Sequence, residues 1–287
     1  MSSDMLAEPA TNLQVRPSKP PPPPPAAVEI VVISLPSATK RRQWISQMFE
    51  GTSLTWSFFD AHTSLRQSGL HYDSAATLAC FGRGLSVPEL AIWSSHVAVL
   101  SEFLQRSQAN HILVLEDDVI FDTDFPLARF SAFCVENGIE YIRLFGKHYA
   151  KGIRLGFFYD RSIMRYETTP AGAQAYLMSK KGAKAFLDAY RTVDTTVDLA
   201  MDSFWKVPLP IYSIFPYPII ERFSPTSIPM APYGHVFTLP ERLSFSYRRI
   251  VTKLRKMRAN AALRKADQRL RERNGHFRQI FGSDTEN

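Results

Sequence analysis

The segment His111-Ile-Leu-Val-Leu115 runs straight into Glu116-Asp117-Asp118, and no other feature restricts the fold as much. A continuous apolar run of strand length reads as a strand covered on both faces, as in a sheet with helices packed on each side. Three adjacent carboxylates repel one another, so at the mouth of a buried strand they need a cation, backbone donors or water. In open α/β sheets the loops beyond the carboxyl ends of strands are where ligands bind. If the backbone stays extended, Glu116 and Asp118 share an orientation. Two such oxygens, with phosphate oxygens added, suit a hard cation, Mg²⁺ or Mn²⁺. The alternative is a solvated acidic turn. Asp122 and Asp124 read as surface loop charges.

The surrounding pattern repeats this theme. Glu29-Ile-Val-Val-Ile-Ser-Leu35 is a second buried strand, and Lys40–Glu50 is helical in pattern. Leu54–Asp60 reads as a short strand, and residues 61–85 as irregular loop. Pro88–Arg106 is an amphipathic helix, with Ser86 as N-cap and Glu89 closing a capping box. Phe130–Asn137 is a helix ended by Gly138. Tyr141–Phe145 and Ala175–Met178 are strands, and Ser179 caps the next helix. Leu199–Lys206 is a short helix and Ile211–Ile220 is extended. Strands alternating with helices predict an α/β fold, with a mixed, mostly parallel sheet flanked by helices.

Net charge divides the chain. Of 287 residues with a formal charge of +7, residues 1–240 hold 21 Lys and Arg against 22 Asp and Glu, while residues 241–280 hold 13 against 3. Three parts follow: a proline-rich leader over 1–27 ending in Pro20–Pro25, a near-neutral body over 28–240, and a basic helical tail over 241–287. The leader is expected to be a disordered spacer or a ligand for a proline-binding domain. In the tail, Leu243, Tyr247, Ile250, Leu254, Met257 and Ala261 recur at spacings of four and three, one apolar stripe on a basic helix. Such a helix can lie on an anionic membrane surface through residues 241–273, where each basic residue adds about 1 kcal/mol. Packing on the body is the other reading. The two cysteines, Cys80 and Cys134, lack metal-ligand spacing, and no segment reaches the roughly 18–20 apolar residues of a membrane span. A cytoplasmic protein is expected, soluble or peripheral on the inner face of the membrane.

Several segments, in order, resemble glycosyltransferase family 25, which includes lipooligosaccharide galactosyltransferases. Val31-Val-Ile-Ser-Leu35 followed by Arg41-Arg42 resembles the family's opening strand and paired arginine, and Phe59-Asp60-Ala61 its next strand end. Ser86–His96 is similar to its GEIGCxLSH helix at Glu89, Ser95 and His96, and departs from it at Pro88, Ala91, Ile92 and Ser94. Leu113-Val-Leu-Glu-Asp-Asp-Val119 matches its LVLEDDV segment. Ala173–Gly182 and Thr196–Asp202 resemble two later segments. The resemblance spans roughly 28–225.

It implies an A-type glycosyltransferase fold and inverting transfer from a UDP-sugar, often UDP-galactose, to a cell-envelope glycan such as lipooligosaccharide. Charge on the leaving diphosphate calls for a divalent cation or basic side chains; Glu116 and Asp118 are the expected metal ligands, with Asp117 as a sugar contact or support. An inverting step needs a carboxylate to take the acceptor proton; Asp198 is preferred over Asp202, and both also suit helix capping. Ser34 and Leu35 end the first strand, where a nucleotide base fits. Arg41 or Arg42 would reach the diphosphate or form a solvated face. Glu89, Ser95 and His96 join the site through the family alone, and His96 also reads as a core histidine. One competing reading is a nucleotide-sugar-forming nucleotidyltransferase, though Pro36-Ser-Ala-Thr39 has no glycine for a phosphate loop. The other is a non-catalytic protein using the basic tail on nucleic acid or membrane. Nucleic acid is not expected, since the acids would face a phosphate backbone.

Overall fold

The computed structural model describes residues 28–66, 69–222 and 237–275; the proline-rich leader lies outside them. In chain order the elements are β1 (Val28–Ser34), α1 (Thr39–Phe49), β2 (Trp56–Asp60), β3 (His71–Tyr72), α2 (Ser74–Phe81), α3 (Val87–Arg106), β4 (His111–Glu116), β5 (Val119–Phe121) and α4 (Leu127–Asn137). They continue as β6 (Tyr141–Arg143), β7 (Gly152–Phe158), β8 (Arg161–Tyr166), β9 (Ala175–Ser179), α5 (Lys180–Ala189), β10 (Thr192–Val193), α6 (Val197–Met201), β11 (Tyr212–Phe215), β12 (Ile219–Glu221) and α7 (Leu239–Gly275).

Eight strands form one sheet in the order β2-β1-β4-β9-β6-β11-β8-β7. The fold is mixed α/β, and only β9 and β8 oppose the common strand direction. Both faces are covered, as the apolar runs require. Val31, Ile33, Ile112 and Val114 join Trp93 and Phe186 in one core, while Ile30, Val32, Leu113 and Leu115 join Ile45 and Phe130 in the other. Period-two side-chain alternation sends a continuous apolar strand into two cores at once.

The capping box forms as the sequence predicts: Ser86 accepts from the Glu89 amide, and the Glu89 carboxylate accepts from the Ser86 amide at 2.8 Å. Ser179 caps α5 through the Gly182 amide, and Gly138 closes α4 at φ +64. The span expected as loop over 61–85 instead contains α2. Asp73 caps it, accepting from the Ala76 amide at 2.8 Å, and Gly82 ends it at φ +89. With eight residues and only Thr77 buried, α2 has no apolar stripe for a periodicity argument to find.

The tail helix α7 packs on the body. It lies along β7, the end strand of the sheet, and the Arg271 guanidinium donates to the Arg154 carbonyl there. A helix over a sheet edge removes the unpaired strand that would template aggregation.

Candidate active site

β1 connects to β2 on one side, and the chain later returns to place β4 on its other side, all three parallel. The crevice beyond the carboxyl ends of β1 and β4 is therefore a topological switch point, the position where open α/β sheets take ligands. Ser34, Asp60 and Glu116 all stand at these strand ends.

The acids after β4 do not stay extended: residues 117–118 form a turn into β5. The alternation that would have aligned Glu116 with Asp118 is broken, because β5 leaves the main sheet to pair with β12. Asp117 is pinned by the Ser34 hydroxyl at 2.6 Å and by Arg41 at 3.0 Å. Arg41 also stands 3.6 Å from Asp118. Arg41 is thus a built-in part of the compensation that three carboxylates demand. It is incomplete, because Asp118 Oδ1 is buried with no hydrogen-bond partner. Burial and the Glu116 charge push the Asp118 carboxyl up to about 7, with Arg41 opposing and Asp117 and Glu221 adding to the rise.

The paired arginines divide their work. Arg42 donates to the Ser34 carbonyl at 2.8 Å and the Leu35 carbonyl at 3.1 Å, pairs with Asp60 and stacks over Phe58. It clamps the ends of β1 and β2, including Leu35, while Arg41 faces the acids.

His96 is fully buried on α3, its Nδ1 3.0 Å from the Tyr176 hydroxyl and its Nε2 3.7 Å from Glu116. It is enclosed in the core beside Glu116 rather than open to solvent. Ser95 belongs to the helix and the preceding loop, donating to the Ala91 carbonyl and accepting from the His62 amide. Glu89 is held by Arg83 at 2.6 Å and by Ser86. Burial alone would raise its carboxyl, but these bonds outweigh it and hold the group below its ordinary range. Glu89 belongs to the cap of α3, and among the described residues no hydrogen bond or ion pair joins it to the acids after β4.

Asp198 and Asp202 differ sharply. Asp202 is fully buried, ion-paired to Arg143 at 2.6 Å, and accepts from the Ala171 amide. Burial pushes its carboxyl up and the Arg143 charge opposes that. Both its oxygens are engaged inside the fold, where it anchors Arg143 to the Ala171 amide. Asp198 is partly exposed and accepts from the Gly172 and Leu199 amides at 2.9 Å each. Burial opposes ionisation, but the Thr196 hydroxyl, the Gly172 amide and Arg143 prevail and hold it below the ordinary carboxylate range.

The segment Ala171–Gln174 joins the two groups. Gly172 donates to Asp198, and the Gln174 carbonyl accepts from the Glu116 amide at 2.8 Å. One residue, Ala173, separates Gly172 from Gln174, at most about 7 Å between Cα atoms. Gly172 sits at φ +80, and a Cβ there would stand 2.5 Å from Gln174 Oε1. The strap therefore requires glycine at this position. Arg143, which also donates to the Gly172 and Ala171 carbonyls, escaped the sequence reading. Its signal was a single charge inside the buried strand Tyr141-Ile-Arg143, which must find an internal partner.

Among the described residues, no group of three or more His, Cys, Asp or Glu is arranged to share a metal ion. Comparison with known proteins agrees with the motif order. The model of glycosyltransferase family 25 (LPS biosynthesis protein) matches residues 27–201, ending one residue before the buried Asp202. The lacto-N-neotetraose biosynthesis glycosyltransferase LgtE of Neisseria gonorrhoeae is 29% identical over 204 residues, covering 64% of this chain and 71% of that protein. The crystal structure of A197 from STIV aligns over 71% of this chain and 98% of its own, at a TM-score of 0.37 and 11% identity. With the match running from β1 through α6, the chain belongs to glycosyltransferase family 25.

Proposed function

We infer that the protein moves a sugar, galactose first among the donors, from a UDP-sugar to a glycan acceptor of the lipopolysaccharide or lipooligosaccharide class, with inversion. The observation that carries this is the carboxylate cluster over the switch point between β1 and β4, with one Asp118 oxygen buried and unpaired. Family membership supports the transferase class, the family's description as an LPS biosynthesis protein supports the acceptor class, and the gonococcal relative is likewise a glycosyltransferase, of lacto-N-neotetraose biosynthesis.

The donor set fits a hard divalent cation in part. Glu116 and Asp118 offer oxygen ligands, and donor phosphate oxygens would fill the positions that no third side chain supplies. Bound there, Mg²⁺ or Mn²⁺ would neutralise charge on the leaving diphosphate. The remaining work belongs to the chain. Ser34 and Arg41 hold Asp117 in place at the crevice floor. Asp198, kept ionised and presented by Gly172, takes the proton of the acceptor hydroxyl as that oxygen bonds to the anomeric carbon and the bond to UDP breaks. Asp202 and Arg143 fix the strap that carries Gly172.

The test is a panel of UDP-sugars with Mn²⁺, reading UDP release and UDP binding. Asp198→Asn is expected to lower turnover by about 10²–10⁴-fold while donor binding persists. Asp118→Ala is expected to weaken donor binding itself. Absence of UDP release with every sugar, together with UDP binding unchanged in Asp118→Ala, would refute the reading.

A further inference from the structure

α7 has two faces that do different things. Its inner face is docked: Ala259 and Leu263 pack on one core, Leu270 on the other, and Phe245 meets Gly82. Arg165, fully buried on β8, binds both carboxylate oxygens of Asp267 at 2.8 Å and the Asn260 side chain at 2.7 Å. At 3.6 residues per turn, Leu243, Tyr247, Ile250, Leu254 and Met257 fall roughly opposite that docked line. They remain 50–68% exposed. Lys253 and Arg258 flank the stripe on opposite sides, and Arg264, Lys265 and Arg269 continue the same two rows over the turns beyond Met257, all exposed. The two sequence readings of the tail, packing on the body and presenting an apolar stripe outward, are therefore compatible, because separate faces carry them.

We propose that the outward face of α7, the stripe Leu243 to Met257 with its basic borders, docks on an anionic lipid headgroup layer. A helix with an apolar ridge between rows of basic side chains lies in the plane of such a layer, with the ridge among the acyl chains and the cations among the headgroups. The stripe extends about 21 Å at 1.5 Å per residue, a contact along the surface rather than through it. No helix among the described residues is long and apolar enough to cross a membrane. A nucleic acid would match the cations but leave five large apolar residues without a partner. A second copy of this chain would bring two rows of like charge together. The inner-face ion pair holds the helix against the catalytic body, so a docked helix carries the body with it.

The full chain is tested by sedimentation with vesicles containing phosphatidylglycerol and with pure phosphatidylcholine vesicles. This readout is independent of sugar transfer, so it separates this proposal from the transferase reading. Wild type is expected to sediment with anionic vesicles, to bind neutral ones at least about tenfold more weakly, and to be released by salt. Arg258→Glu/Lys265→Glu and Leu254→Ser/Met257→Ser, all at exposed positions, are each expected to lose about tenfold in vesicle affinity while keeping the helical circular dichroism of wild type. The proposal is overturned if wild type stays in the supernatant, if both variants bind as wild type does, or if neutral vesicles bind equally well. A stripe-dependent dimer, or binding to an oligonucleotide, in the absence of vesicle binding would also overturn it.

Discussion

Two sets of acids, one buried and one half-buried, show opposite solutions to the same electrostatic problem. Asp202 and Asp267 each have both carboxylate oxygens satisfied beside a fully buried arginine: Arg165 takes both oxygens of Asp267, while Arg143 takes Oδ1 of Asp202 and the Ala171 amide takes Oδ2. Of the acids after β4, Asp117 and Asp118 share Arg41, Glu116 stands beside His96, and Asp118 Oδ1 is left unpaired. Complete pairing gives a group that holds the fold together; incomplete pairing at the mouth of a sheet gives a group with capacity for a ligand. The contrast extends to Asp198 and Asp202, neighbours in the sequence: Asp202 is fully buried on Arg143, whereas Asp198 is partly exposed and held by backbone amides.

Breaking the saturated set should cost the most. Removing one partner of a buried pair strands the other charge, at about 3–5 kcal/mol. Arg143→Met is expected to fall in that range by denaturant unfolding, because Asp202 and the carbonyls of Ala171 and Gly172 all lose a donor. Arg143→Met/Asp202→Leu should recover much of the loss in stability while sugar transfer stays impaired through the loosened strap. Equal destabilisation in the single and double variants would contradict the pairing argument. Asp267→Ala should cost less, about 3 kcal/mol, since lifting α7 lets water reach Arg165. Limited proteolysis should then cut at the start of α7 with the body still folded; uniform digestion of the whole chain would count against that view.

The sequence disclosed the strands that are apolar throughout, the caps and the acids, because each of those signals is local; it missed β7 and β8, where Arg154, Arg161 and Arg165 interrupt the apolar pattern. The two-core strands follow from apolar runs, the Ser86 and Ser179 caps from three-residue spacings, and the acids from their adjacency. What depends on residues distant in the chain was not legible. Arg143 meets Asp202 across 59 residues and Arg165 meets Asp267 across 102, and neither spacing carries a pattern. The same limit applied to Arg41 and Arg42, identical by type and adjacent on α1. Only the packing of β1, β2 and β4 shows that one faces the acids and the other clamps strand ends. For α7 the stripe was visible, but the docked face was not, since it is built from Asp267, Asn260 and scattered small apolar residues.

The unsaturated set should respond in the opposite direction. The Asp118 carboxyl, pushed up to about 7, lies above its unfolded value, so its contribution to stability is full below the unfolded pKa and is lost as pH rises through about 7. Asp118→Asn, which mimics the protonated form, should therefore stabilise the metal-free protein by about 1–2 kcal/mol at pH 8 and change little at pH 4. The same substitution should weaken UDP-sugar turnover. A loss of stability at pH 8 would place Asp118 with Asp202 among the structural acids.

Glu89 tests the boundary between the two sets from the side of the smallest effect. It matches a family motif, yet its contacts are those of a cap: Arg83, the Ser86 amide and the Ser86 hydroxyl. A capping side chain is worth about 1 kcal/mol, so Glu89→Ala should lower stability by that amount with donor binding intact. Its carboxyl is held below the ordinary range, so its contribution is present above the unfolded pKa and disappears as pH falls through the folded one. The difference between wild type and Glu89→Ala should therefore close in acid, where the difference for Asp118→Asn closes as well but from the opposite sign. If Glu89→Ala leaves stability unchanged and abolishes UDP-sugar binding, the motif match outranks the cap, and the start of α3 belongs to the ligand site after all.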